Sequence, residues 1–438
     1  MECLENCSSS NYPPLGLSTI MTTTDCQTSS IINSWAGERY ERLTLPLTTS
    51  ITMGYAASQW MQNLYGCTGG RQWSIVNRLN LGLRPDGFIN SSPVTNTLPV
   101  ILYPINTPIV HVVQMADNDP GDTPKCRWSN SDSVTNYNRH DECGCICNGM
   151  ISLGTILEES NCTLSFILPT ENLYYPVALQ IEDYYNINDT SPMSSVPIQF
   201  LFYGYKTNTS ACINRPSIIG VRPNRACIGV PIDVEFNETV IIETYCSDQT
   251  INDMVTSSPY GMTHSNIARM GIGNLWKMVL TWKPIVDQTG PQSFCTGAID
   301  NYNVQSDPWC ITYLVGYNST DLIPPTSVQS SASPIGTVFQ NHSIFYIQAI
   351  GTVGRPTRNG TYIRFHEADT NATVLYYDAG YASNIVYTGP AIVIITNYTW
   401  TPGKSYYITM DSGFASANEF CREYFFFLYD IFLMLIDV

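Results

Sequence analysis

The chain has 438 residues and a mass of 48.8 kDa, too long for one hydrophobic core, so about three or four domains are expected. Lys+Arg 20 against Asp+Glu 36 leaves a net charge of −16 and a pI near 4.6, which offers no basic face to phosphates and excludes nucleic acid as a partner. Charged residues are only 13% while apolar ones reach 44%, which excludes a disordered acidic tail, and fifteen cysteines argue against a reducing compartment.

Residues 1–21 are polar, with Cys3, Cys7 and Pro13-Pro14, and lack the apolar stretch of a secretory leader. A leader is therefore expected to have been removed or to precede Met1. Beyond them the chain reads as short apolar, β-branched runs bounded by Gly, Pro, Asn and Asp, such as Pro108 to Val113, Pro231 to Phe236, Trp276 to Trp282 and Ala391 to Ile395. Proline, 27 in all, recurs too often for long helices. The expected fold class is all-β, with β-sandwich modules in series.

An internal repeat of about 117 residues sets the module size. Ile181 to Asn186 leads to Ile198 to Phe202 in one copy, and Ile299 to Asn303 leads to Ile311 to Val315 in the next, with Gly204 and Gly316 closing each. Upstream, a strand ends in an aromatic residue followed by a proline: Phe166 then Pro169, Trp282 then Pro284, and in a third copy Trp400 then Pro402. Phe166, Trp282 and Trp400 are expected to point inward at equivalent positions. Boundaries near 97, 205 and 317 give a β-rich module at 1–97, sandwiches at 98–205 and 206–317, and a last sandwich at 318–438.

The block Leu280-Thr281-Trp282-Lys283-Pro284, Thr289-Gly290 and Ala298-Ile299-Asp300 resembles cadherin-like, dystroglycan-type repeats, and residues 98–205 resemble a diverged copy. The last 120 or so residues, with Pro334 to Val338, Tyr362 to Phe365 and Trp400 to Tyr407, are similar to Ig-like domains of the bacterial surface-layer type. Taken whole, the chain resembles uncharacterised cysteine-rich extracellular proteins of invertebrates, which share runs such as Arg84 to Val94. The resemblance implies a secreted β-sandwich protein and carries no activity with it.

Hydrolase, metalloprotease and P-loop motifs are absent from the sequence, and the five histidines fall in different expected modules, so no enzyme is expected. Asp117-Asn118-Asp119-Pro120-Gly121-Asp122 has two readings. One is an Asx-rich turn between strands; the other is a set of carboxylates around a Gly turn converging on a structural calcium ion. The cadherin-like resemblance adds Glu182 and Asp183 to the second, so Asp117, Asp119, Asp122 and Asp183 are the candidate ligands. No other cofactor is expected.

Cys143, Cys145 and Cys147 are read as disulfide partners rather than zinc ligands. Cys295 and Cys310 stand symmetrically about the Asn301-Tyr302-Asn303 turn, so a hairpin would place them opposite one another as a cross-strand disulfide. An odd cysteine total leaves at least one thiol for an intermolecular bond or a free site. Eleven sequons, at Asn6, Asn90, Asn161, Asn188, Asn208, Asn237, Asn318, Asn341, Asn359, Asn371 and Asn397, suit a secreted glycoprotein bearing N-linked glycans.

The apolar run Tyr424 to Val438 is too short for a transmembrane segment and is interrupted by Asp430 and Asp437. It reads either as a buried final strand or as an assembly strand, carrying Phe425, Phe427, Tyr429, Ile431, Leu433 and Leu435, that adds to a neighbouring copy. The function expected is that of an extracellular, glycosylated, disulfide-stapled structural protein that assembles with copies of itself into a filament or coat. The alternative is an adhesion or glycan-recognition ectodomain, with a carbohydrate-active enzyme behind it.

Overall fold

The computed structural model describes residues 2–6, 21–22, 37–38, 44–58, 60–67, 72–117, 119, 122–186, 188–207, 212, 214–219, 224, 226–271, 273–317, 332–334, 336–348, 353–355, 361–388, 391–411, 414–417 and 434–437. The fold is all-β. Helix among these residues is confined to three short 3-10 turns.

Three two-layer units follow one another. In the first, a seven-stranded sheet takes Glu2–Glu5, Ser50–Ser58, Gln72–Asn80, Ser194–Tyr205, Tyr174–Tyr184 and Thr123–Trp128, with Val100–Pro104 also paired to Ser194–Tyr205. A three-stranded sheet of Ile156–Glu158, Thr163–Phe166 and Ile109–Val112 covers it, and Phe166 stacks on Phe202 at 4.5 Å. The second unit sets Phe236–Glu243 and Leu275–Trp282 against Ala226–Val230, Trp309–Val315, Gly290–Asp300 and Ile251–Ser257. The third sets Met434–Asp437, Ser405–Met410, Tyr362–Glu367 and Thr373–Asp378 against Ile344–Gln348, Ala391–Ile395 and Ile385–Thr388.

A shared topology underlies the repeat. In each unit an early strand lies parallel to the last: Val100 opposite Leu201, Ala226 opposite Ile311, and Gly336 opposite Ile436. Alternation supplies the faces. Phe236–Glu243 buries Glu238, Val240 and Ile242 and turns the residues between them outward, as a strand with one covered face must. Tyr174–Tyr184 and Trp309–Val315 are buried almost throughout because both of their faces are covered. Phe166, Trp282 and Trp400 are 7%, 1% and 0% exposed.

Two expectations require correction. Residues 1–97 do not close on themselves: the hairpin Ser50–Ser58/Gln72–Asn80 joins the sheet of the next unit through Arg78 opposite Ser195, and Cys67 is bonded to Cys145. A lone two-stranded hairpin is marginal in water, and the exposed edge of Ser194–Tyr205 supplies its partner. At the other end, Leu435 pairs with Tyr407 inside the last unit's own sheet, so its backbone is engaged within the chain rather than offered to a neighbour. Phe425, Phe427, Tyr429, Ile431 and Leu433 lie outside the described residues.

The first two units share a core cluster that joins Leu98 to Val255, Cys295 and Ile299. Polar groups lock this junction: the Asn96 amide donates to the carbonyls of Ser257 and Ser293, the Gln114 amide donates to Thr312 at 2.7 Å, and Gln305 Oε1 accepts from Leu102 N at 2.7 Å. A Cβ added at Gly297 would stand 2.9 Å from Leu98 Cδ1 and 3.2 Å from Gln305 Nε2, so a larger residue here would push aside the ends of two side chains that hold the junction. Five disulfides join described cysteines: Cys67–Cys145, Cys126–Cys162, Cys143–Cys147, Cys212–Cys246 and Cys295–Cys310. The last bridges residues directly opposite across a hairpin, with Cα atoms 4.1 Å apart.

His111, on Ile109–Val112, is enclosed by Phe200, Phe202 and Tyr103, whose hydroxyl lies 3.2 Å from Nδ1. Burial pushes its pKa down to about 3. Between pH 6.5 and about 3 the unfolded chain takes up a proton that the folded chain refuses, so stability falls as the pH falls, by about 1.4 kcal/mol per unit. Urea midpoints at pH 7, 6 and 5 are expected to drop less steeply in His111→Phe; equal slopes would remove His111 as a source of acid sensitivity.

Candidate metal centre

Asp117 leaves the strand Gln114–Ala116, Asp122 precedes Thr123–Trp128, and Asp183 sits one residue from the end of Tyr174–Tyr184. Because Pro124 pairs with Asp183, the two loop ends meet at one hairpin turn. One carboxylate oxygen from each of Asp117, Asp122 and Asp183 lies within 4.8 Å of the others, and the residues are 3%, 0% and 0% exposed. The chain therefore brings together three of the four expected ligands.

Asp119 is turned elsewhere. Its carboxylate accepts from Ser91 N at 2.5 Å and from Arg84 Nη1 at 3.0 Å. Arg84, unanticipated from the sequence, also reaches Asp122 at 2.7 Å and the rim residue Asp86 at 3.0 Å. Asn90 is the second unanticipated member: its amide donates to Asp183 Oδ2 at 2.6 Å, while Ser194 N and Oγ both donate to Asp183 Oδ1 at 2.7 Å. Asn90 is 5% exposed, and a sugar on this amide would have to displace the bond to Asp183. Asn6, Asn161, Asn188, Asn237, Asn341, Asn371 and Asn397 are exposed; Asn208, Asn318 and Asn359 lie outside the described residues.

The electrostatics are unbalanced. Among the described residues four buried carboxylates gather here with one guanidinium, and neither Asp117 Oδ2 nor Asn90 Oδ1 has a hydrogen-bond partner there. Burial, followed by the charge of Asp183, holds the Asp117 pKa well above the usual carboxylate range. Burial also raises that of Asp183, against the bonds from Ser194 and Asn90. The donors are all oxygen, the set a hard cation such as calcium takes, and the unpartnered Asp117 and Asn90 oxygens fit that role.

The repeat supplies an internal comparison. Asp300 occupies the corresponding hairpin turn of the second unit and is 0% exposed, yet Gln249 Nε2, Tyr302 N and Val304 N all donate to it at 2.8 to 2.9 Å. A buried turn aspartate is thus satisfied by amide donors there, whereas the first unit gathers further carboxylates around its counterpart. Glu182 takes no part in the centre: adjacent residues of a strand face opposite ways, and it binds Arg127. Cys143 and Cys147, beside Asp141, are bonded to one another and offer no thiolate.

No family model and no curated protein matches the chain. Among solved structures it is similar to the sialic acid binding region of a Streptococcus sanguinis adhesin, at 8% identity over 59% of this chain and 93% of that one, with a TM-score of 0.20. It is likewise similar to Drosophila N-cadherin EC1-3, at 12% identity over 73% and 95% with a TM-score of 0.20, and to an endo-fucoidan hydrolase of glycoside hydrolase family 107, at 12% over 82% and 48% with a TM-score of 0.19. At these scores the likenesses carry no functional argument. The disulfides indicate an oxidising, extracellular setting, and among the described residues no helix is long and apolar enough to cross a membrane.

Proposed function

We propose that this chain is an extracellular structural glycoprotein without catalytic activity, whose tandem sandwiches are braced by one calcium ion and associate with further copies of the chain. The observation that carries the calcium reading is the convergence of Asp117, Asp122 and Asp183 in a buried place with too little positive charge. A cation bound only by the folded state adds about 2.7 kcal/mol of stability at one hundred times its dissociation constant. Calcium is therefore expected to raise the melting temperature and a chelator to lower it. Asp117→Asn should melt above the native chain in chelator, since one buried charge is gone, and should no longer respond to calcium. Melting curves of the native protein that coincide in 10 mM calcium and in chelator would count against the ion.

Association rests on the outward face of the small sheet of the third unit. Ile344 and Ile395 stand opposite one another, 55% and 42% exposed, beside the row Tyr346, Val393 and Val386, and the three strands hold no charged residue. Natural sheets commonly guard such faces and edges with charge. Light scattering of the native chain is expected to show oligomers that grow with concentration, and Ile344→Lys with Val386→Lys should return it to the monomer. A native chain that stays monomeric at high concentration would favour the adhesion or glycan-recognition reading instead.

A further inference from the structure

Resting on the calcium reading, we infer that Arg84 is a tethered counter-ion that keeps the affinity of the centre for a divalent cation weak. The guanidinium is 2% exposed on its side chain, bonds Asp119 and Asp122 from within, and lies 5.5 Å from the Tyr185 ring. Its position is set by its own loop. Gly87 N donates to Arg84 O at 2.9 Å, Phe88 N donates to Asp86 Oδ1 at 3.1 Å, and Arg84 N donates to Phe88 O at 2.8 Å, which closes a tight turn that delivers the side chain into the cluster. Arginine does not lose its proton in proteins, so this positive charge is permanent.

The charge balance follows from the residues in place. Among the described residues Asp117, Asp119, Asp122 and Asp183, with Asp86 at the rim, set five carboxylates against the one guanidinium of Arg84, so the carboxylates draw a divalent cation in while Arg84 repels it. Asp122 is also contested, because the oxygen-bearing group that joins Asp117 and Asp183 is the one Arg84 holds at 2.7 Å. An incoming ion must share that carboxylate with a fixed like charge only a few ångströms away. The native affinity is accordingly expected near the roughly 10⁻⁴ to 10⁻³ M of extracellular calcium modules.

The test is calorimetric titration of the full chain with calcium chloride, using native protein, R84Q, R84K and D117N. Native protein should take one ion and D117N none. R84Q should bind about tenfold more tightly or better, since repulsion from a neighbouring charge is lost, and R84K, which keeps the charge, should stay near the native affinity. Loss of a merely structural contact would weaken binding in both Arg84 variants, the opposite sign for R84Q. If R84Q folds only with calcium present, the midpoint of calcium-driven folding replaces the titration, and it must fall below the native dissociation constant. No ion in the native chain sinks the calcium reading and this inference together. An ion that native protein binds and D117N loses, with R84Q binding no more tightly, overturns the role of Arg84 alone.

Discussion

Replacing Arg127 with alanine is expected to destabilise the first unit by about 3 to 5 kcal/mol at neutral pH, the range for stripping one partner from a buried ion cluster. The guanidinium of Arg127 grips Glu142 through two bonds of 2.7 and 2.8 Å and reaches Glu182 at 2.7 Å. Burial by itself would lower the Arg127 pKa; the bonds from Glu142 and the charge of Glu182 outweigh it and raise the value. Without Arg127, two carboxylates that are 0% and 3% exposed face each other with only neutral donors, Asn138 Nδ2 and Asn130 N among them. Glu142 also accepts from Asn130 N and Asn138 Nδ2 in the segment that leads to Cys143, Cys145 and Cys147, so its loss of anchorage spreads to that segment. Urea denaturation of the native chain and the variant at pH 7 measures the deficit. Arg127→Met with both Glu142→Met and Glu182→Met should recover much of the loss, because the whole charged cluster leaves together. A single-variant loss below about 1 kcal/mol would mean that water screens the cluster.

Trp282→Ala and Trp400→Ala are each expected to cost about 3 to 5 kcal/mol, but in different parts of the molecule. Trp282 donates its Nε1 proton to Tyr260 O at 3.0 Å and packs on Tyr313 in the second core. Trp400 donates to His342 O at 2.7 Å and contacts Phe345, Phe365 and Tyr406 in the third. Each change removes a fully buried tryptophan from its core and opens a cavity there; Tyr260 O keeps its bond from Gln288 Nε2 at 2.9 Å. Calorimetric scans should show Trp400→Ala shifting one transition and sparing the other units. Trp282→Ala should lower the transition of the second unit and carry the first with it, since Leu98 and Ile299 belong to one cluster. A Trp400→Ala scan that lowers every transition equally would refute the independence of the third core.

What could be read from the sequence was local. The repeat of about 117 residues placed Asp183 and Asp300 at like turns, the aromatic-then-proline signal marked Trp282 and Trp400, and the symmetry of Cys295 and Cys310 about a turn put them across a hairpin. Each of these depends on the strand period and on one turn, whose geometry is nearly constant from protein to protein. Asp117, Asp119 and Asp122 could be grouped for the same reason, being neighbours on one loop.

The tertiary structure decided everything that required distant segments to meet. Asn90 finds Asp183 across 93 residues and Arg84 finds Asp122 across 38, so neither could be assigned to the acidic centre from spacing. The same holds for the hairpin Ser50–Ser58/Gln72–Asn80, whose choice between a module of its own and the edge of the next sheet turned on an open strand, Ser194–Tyr205, far along the chain. Leu435 was ambiguous because an apolar strand buries equally well in its own sandwich or in a neighbour's, and pairing with Tyr407 settles that strand inside its own sheet. Pattern along a chain specifies which faces must be buried; which surface buries them is a matter of competition among all the edges and faces the folded chain presents.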